Sequence, residues 1–190
     1  VILVEGIAEA IVVPELARIA LQKYGKGRNT LEDFGVSVIN LNGIYFSHFM
    51  QLFCDVDGVR KSLNIPVRCA GLTDNDPPKS VETVVDAEGK KVGKPYLPHA
   101  DSFIAGENHA LKLIPLIEQS DHGRLFAGSY KTFEYDLALE GNNLATMLTV
   151  ASSQWPTNGP VKKELQARSE LKFAEMENSE RAVYAWELLQ

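Results

Sequence analysis

The 190-residue chain is long enough to bury one sizeable core, and its 45% hydrophobic and 23% charged content is that of an ordinary globular protein. No apolar run approaches the roughly 20 residues that span a bilayer, and a net charge of −6 argues against a binder that grips nucleic acid through a uniformly basic surface. The acidity leaves room for a nucleic-acid enzyme, because carboxylates gathered for divalent cations make a domain acidic and bound metal reverses the local sign.

In chain order, Val1–Val4 is a continuous apolar run, as expected for a strand buried on both faces of a parallel sheet. It lacks the basic start and small-residue cleavage site of a signal peptide. A strand already under way at residue 1, with no initiating Met, is expected to continue a longer protein with an upstream domain. After Gly6, apolar residues Val12, Leu16, Ile19 and Ala20 recur at helical period, predicting a helix over about 8–24. Pro14 is read as near its front, and Gly25-Lys26-Gly27 as its stop. A second β-branched strand is expected from Phe34 to Gly43, then a short apolar helix from Tyr45 to Phe53 and a turn at Asp57-Gly58. A third strand from Pro66 runs into Asp74-Asn75-Asp76-Pro77-Pro78.

Residues 77–102 read as an irregular excursion with a hairpin at Glu88-Gly89, and 103–119 as helical. Gly123–Gly128 is a fourth strand, and the pattern from Asp136 to Gln190 is helical with a break at Trp155–Pro160. This alternation predicts an α/β fold, with a mostly parallel sheet flanked by helices and a small C-terminal helical subdomain. Leu144, Leu148, Trp155, Leu165, Phe173, Trp186 and Leu188 supply apolar surface to pack on the sheet or on another subunit. Cys54 and Cys69 have no CxxC spacing and lie in apolar stretches; they read as buried thiols, which fit a reducing cytoplasm.

Two acidic pairs end two strands. Glu5 closes the first strand and Glu9 falls in the following helical turn, so both point to the carboxyl end of the sheet, where ligands of open α/β sheets bind. Glu9 is equally at home there because the helix dipole favours an acid in the first turn. Glu5 is harder to explain away, since an unpaired carboxylate after an apolar strand is expensive to bury. Asp74 and Asp76 end the third strand, where period-two alternation would put both on one face, a spacing suited to a hard cation; an Asx-rich turn is the plain alternative. Four carboxylates in one site would repel one another severely without cations.

The order Val4-Glu5-Gly6-Ile7-Ala8-Glu9, then a strand ending Asn40-Leu41-Asn42-Gly43, then Gly71-Leu72-Thr73-Asp74-Asn75-Asp76 resembles the Toprim domain of topoisomerases, primases and certain nucleases. The later run Lys131 to Leu139, KTFEYDLAL, is similar to the OLD (overcoming lysogenization defect) family, in which a Toprim nuclease follows an ATPase domain. The resemblance implies a Toprim-like, Rossmann-like core over 1–135 with an insertion at 77–122, and a C-terminal helical region over 136–190. It implies a two-metal endonuclease using Mg²⁺ or Mn²⁺ on nucleic acid, expected to be DNA. Glu5, Glu9, Asp74 and Asp76 would be ligands or acid–base groups, Glu5 either bridging to the second ion or acting as general base, and Glu134 a further ligand. Read without the family, Glu134 after Thr132 is also good capping chemistry.

Such nucleases place a basic residue near the end of the domain, usually a Lys in a K-G/A-x-F-A pattern. Arg181-AVYAWEL fits with Arg in place of Lys, and Lys172-FAEME keeps the Lys at a compressed spacing. An Arg binds phosphate bidentately but shuttles no proton. His48, His99, His109 and His122 form no HxxxH or triad pattern, although the His99 loop could approach the site. Tyr45, Tyr130 and Tyr135 read as packing residues, and Thr73 and Ser80 as possible supports of the Asp74–Asp76 loop. Two rivals remain open. A haloacid-dehalogenase-type phosphatase also uses DxD, but there it ends the opening strand. The second rival is a non-catalytic module that binds metal and nucleic acid.

Overall fold

The computed structural model describes residues 1–24, 27–54, 65–85, 87, 89–102 and 104–190. The turn expected at Asp57-Gly58, the helix stop at Gly25-Lys26 and Glu88 of the expected hairpin tip lie outside the described residues. The strands are β1 (Ile2–Val4), β2 (Val38–Asn40), β3 (Cys69–Thr73), β4 (Ser80–Val85), β5 (Lys91–Pro95) and β6 (Gly123–Ala127). The α-helices are α1 (Ile7–Leu21), α2 (Phe46–Met50), α3 (Ile114–Ile117), α4 (Phe133–Leu139), α5 (Asn143–Gln154), α6 (Pro160–Ser169) and α7 (Asn178–Leu188). They fall into two compact units, Val1–Asn75 with Glu107–Gly128, and Asp76–Gly106 with Ser129–Gln190.

The first unit is built on a four-stranded parallel sheet in the order β2-β1-β3-β6. Leu3 pairs with Ile39, Val4 with Leu72, and Leu72 with Phe126. The apolar strand runs and the helices between them dictate this arrangement, because parallel neighbours need a crossover and a helix supplies it. Leu3, Phe46, Met50, Cys69, Ile117 and Leu125 form the core. Gly71 is what lets α2 approach: a Cβ there would lie 2.6 Å from Leu125 Cδ1 and 3.1 Å from the Phe46 ring. Cys54 and Cys69 are buried free thiols, as expected. Burial lifts the Cys69 thiol to about 11, Cys54 adding to the rise and the Val1 ammonium opposing it.

Three elements differ from expectation for local reasons. The second strand shortens to three residues, because Phe34 is taken into a 3₁₀ turn over Glu32–Phe34. The Asp33 carboxylate accepts the Asn29 and Thr30 N–H groups at 2.9 and 3.0 Å, while Thr30 Oγ1 accepts the Asp33 N–H at 3.2 Å. That reciprocal cap outbids β-propensity. In 103–119 a 3₁₀ turn over His109–Leu113 leads into the four-residue α3, whose Pro115 has no N–H to give the preceding turn. Pro14 stands in the interior of the 15-residue α1 rather than near its front, removing one rung of the ladder.

In the second unit, β4 and β5 form an antiparallel hairpin, as expected within 77–102. Helices α4–α7 enclose a core of Tyr135, Ala138, Leu144, Leu148, Phe173 and Ala182. Tyr135 is buried and its hydroxyl donates to Pro98 O at 2.9 Å, which makes it a packing residue; burial pushes its phenol well above the ordinary range. The break between α5 and α6 falls at Trp155–Gly159. Among the described residues, no helix is long and apolar enough to cross a membrane.

Candidate functional site

β1 and β3 are adjacent and parallel, so Glu5, one residue past β1, comes level with the end of β3. Its Oε2 accepts the Thr73 hydroxyl at 2.7 Å and the Asp74 N–H at 3.1 Å. Both bonds go to one oxygen, which leaves Oε1 for another partner. The Glu5 backbone is held as well, its carbonyl accepting the Gly43 N–H at 2.9 Å. The Asn40–Gly43 turn that delivers this N–H is shaped by Asn40 Oδ1 accepting the Asn42 N–H at 2.8 Å. Asn42 and Gly43 have φ of 53° and 144°, which Asn and Gly tolerate best.

Glu9 is only 5% exposed, and its carboxylate turns back to accept the Gly6 N–H at 3.1 Å. The absence of a side chain at position 6 makes room for it, since a Cβ there would sit 3.1 Å from Glu9 Oε2. No basic side chain pairs with Glu9 among the described residues.

Asn108 braces the same corner. It is 5% exposed, and its Nδ2 donates to Thr73 Oγ1 and to Asp74 O, each at 3.0 Å. Its Oδ1 accepts the Ala110 N–H at 2.9 Å and so caps the 3₁₀ turn. Neither the cap nor the reach to Thr73, 35 residues away, is legible in the sequence, where 103–119 reads as helical throughout.

The structure thus brings Glu5 to the head of the Asp74–Asp76 segment, with Glu9 in the same unit. Because β3 ends at Thr73, the pleat does not set the directions of Asp74 and Asp76; Asp76 takes a left-handed φ of 46° instead. Asp76, Glu134, Lys172 and Arg181 belong to the second unit. Within it, the Asp76 N–H donates to Lys131 O at 3.3 Å. Thr132 caps α4, accepting the Tyr135 N–H at 3.4 Å, which puts Glu134 at the second helical position rather than the third that a capping box needs. The ordering acid in this segment is Asp136, whose carboxylate accepts the Ser129, Tyr130 and Lys131 N–H groups.

The two basic candidates differ in surroundings. Lys172 is exposed and pairs with Glu175 at 3.0 Å. Arg181 donates through Nη2 to Leu139 O at 2.6 Å and Gly141 O at 2.9 Å, closing the end of α4. Among the described residues, its buried Nε and His99 Nδ1 have no hydrogen-bond partner, and both residues line a cavity of about 70 Å³ with Tyr130, Asp136 and Asn178. Lys131, which the sequence analysis passed over as an individual residue, holds its ammonium 4.4 Å from the Trp186 ring centre and 3.4 Å from Tyr96 O. Burial pushes that ammonium down, Asp76 opposing the shift.

Among the described residues, no three His, Cys, Asp or Glu side chains are gathered closely enough to enclose a metal ion. The donor chemistry still suits Mg²⁺ or Mn²⁺. Magnesium keeps several of its waters and takes one or two protein carboxylates, so oxygen donors such as those of Glu5 and Asp74 fit it in kind.

Residues 1–76 match the sequence model of the overcoming lysogenization defect protein-like TOPRIM domain, a span that contains Glu5, Glu9, Asp74 and Asp76. The fold is similar to the C-terminal region of the Burkholderia pseudomallei OLD protein, with a TM-score of 0.51 and 18% identity over 98% of this chain and 85% of that one. No curated protein matches the sequence. Residues 1–76 therefore carry an OLD-like TOPRIM domain, in a chain with the fold of the C-terminal region of an OLD protein.

Proposed function

We propose that this chain is the metal-dependent nuclease part of a larger OLD-type ATPase–nuclease, and that it hydrolyses DNA phosphodiester bonds with two Mg²⁺ or Mn²⁺ ions. The observation that carries the reading is the pairing of a braced Glu5, tied to the head of Asp74, with a Glu9 that is buried and lacks a basic partner. Glu5, Glu9 and Asp74 are the proposed ligands in the first unit, and the family resemblance adds Asp76 and Glu134. Bound ions supply an activated water and stabilise the leaving 3′ oxygen.

The chain's own residues set up that chemistry. Thr73 and the Asp74 N–H hold Glu5 Oε2, so the carboxylate presents Oε1 in a fixed direction. A carboxylate held in this way is already oriented toward a cation or an attacking water. Between the two basic candidates, the fixed guanidinium of Arg181 suits phosphate binding better than the Lys172 ammonium that Glu175 already neutralises.

Supercoiled plasmid incubated with the chain and Mg²⁺ or Mn²⁺ is expected to be nicked, and chelator is expected to stop it. Glu5→Ala and Asp74→Ala should each drop cleavage to background while circular dichroism stays native. Full activity in either variant sinks the assignment. Arg181→Lys compared with Lys172→Ala locates the basic group: the variant that loses about 10²-fold in kcat with KM little changed has lost it. DNA binding with no metal-dependent nicking would favour the non-catalytic module.

A further inference from the structure

We propose that Thr73 and Asn108 are positioning residues that preset the Glu5 carboxylate for a divalent cation. The inference rests on the reading of Glu5 as a metal ligand.

The hydrogen bonds around these residues form a chain with only one consistent direction. Asn108 Oδ1 accepts the Ala110 N–H at 2.9 Å, which assigns the amide and turns Nδ2 toward Thr73 and the Asp74 carbonyl. Thr73 Oγ1 accepts from Asn108 Nδ2, so its single proton is committed to Glu5 Oε2. The relay therefore fixes the orientation of the carboxylate through Oε2 and leaves Oε1 to the cation.

Burial gives the relay its leverage. Thr73 is 2% exposed and Asn108 5% exposed, so water does not readily replace either partner, and each bond acts in a low-dielectric surround. Asn108 also grips Asp74 on its carbonyl side while the Asp74 N–H faces Glu5 Oε2. The backbone on both sides of the Asp74 Cα is thereby tied to the corner that holds Glu5. Partners that orient ligands in this way typically change metal affinity by 10–100-fold.

The test is Mn²⁺ affinity, read from the free-ion electron paramagnetic resonance signal, alongside the melting temperature without metal. Thr73→Val keeps the shape and removes the hydroxyl, and is expected to weaken Mn²⁺ binding about 10-fold with a near-native melting temperature. Thr73→Ser restores the affinity. Asn108→Asp keeps the acceptor for Ala110 and removes both donated bonds, and is expected to alter Mn²⁺ affinity while the 3₁₀ cap persists. In a Glu5→Gln background, Thr73→Val should cost nothing further, because its effect passes through Glu5.

Wild-type affinity in Thr73→Val, or an undiminished loss in the Glu5→Gln background, overturns the proposal. A wild-type chain that binds Mn²⁺ but never nicks DNA overturns the nuclease reading and leaves the relay standing. A wild-type chain that binds no Mn²⁺ overturns both.

Discussion

At the scale of single residues, Glu9 carries the sharpest prediction about charge at the proposed site. Its carboxylate is buried, accepts one backbone N–H, and faces no basic side chain among the described residues. Removing that charge should therefore relieve the metal-free protein. Glu9→Gln keeps the acceptor for Gly6 and is expected to raise metal-free stability by about 1 kcal/mol. The same substitution should shrink the further rise that Mg²⁺ produces. Urea unfolding with chelator and then with Mg²⁺ checks both halves, and a metal-free midpoint at or below wild type would refute the first. Glu5 and Asp74 were legible from their place after apolar strand runs. Asn108 was not legible, because it falls inside a stretch that reads as helical and its partner Thr73 lies 35 residues away.

At the scale of elements, the sheet places the corner and the close approach of α2 holds the sheet. Gly71 sits where β3, β6 and α2 meet, and a Cβ there would fall 2.6 Å from Leu125 Cδ1 and 3.1 Å from the Phe46 ring. Both neighbours are buried, so neither yields cheaply. Gly71→Ala is expected to cost about 1–3 kcal/mol by overpacking, read as a lower urea midpoint with an unchanged slope. An unchanged midpoint would mean that α2 shifts freely, and the registration of Thr73 with Glu5 would then rest on hydrogen bonds alone. The alternation of strands and helices followed from hydrophobic runs separated by helical stretches. Strand length did not: Phe34 carries β-propensity, but the Thr30–Asp33 cap claims its backbone.

At the scale of the whole molecule, the proposed metal binding would be linked to folding. A cation held by the native carboxylates and not by the unfolded chain adds stability by mass action, about 2.7 kcal/mol when Mg²⁺ is at 100 times its Kd. Thermal melts with Mg²⁺ and with chelator should differ accordingly, and Glu5→Gln should abolish most of the difference. Equal melts across a millimolar Mg²⁺ series would count against a native cation site. The sequence by itself determined the α/β class, the parallel core and the acidic strand ends, because burial periodicity and strand-end position are local properties. Only the tertiary structure decided which groups brace those acids. The Asn108–Thr73–Glu5 relay and the carbonyl grip of Arg181 join segments far apart along the chain, and hydrogen bonds between such segments leave no periodic trace in sequence.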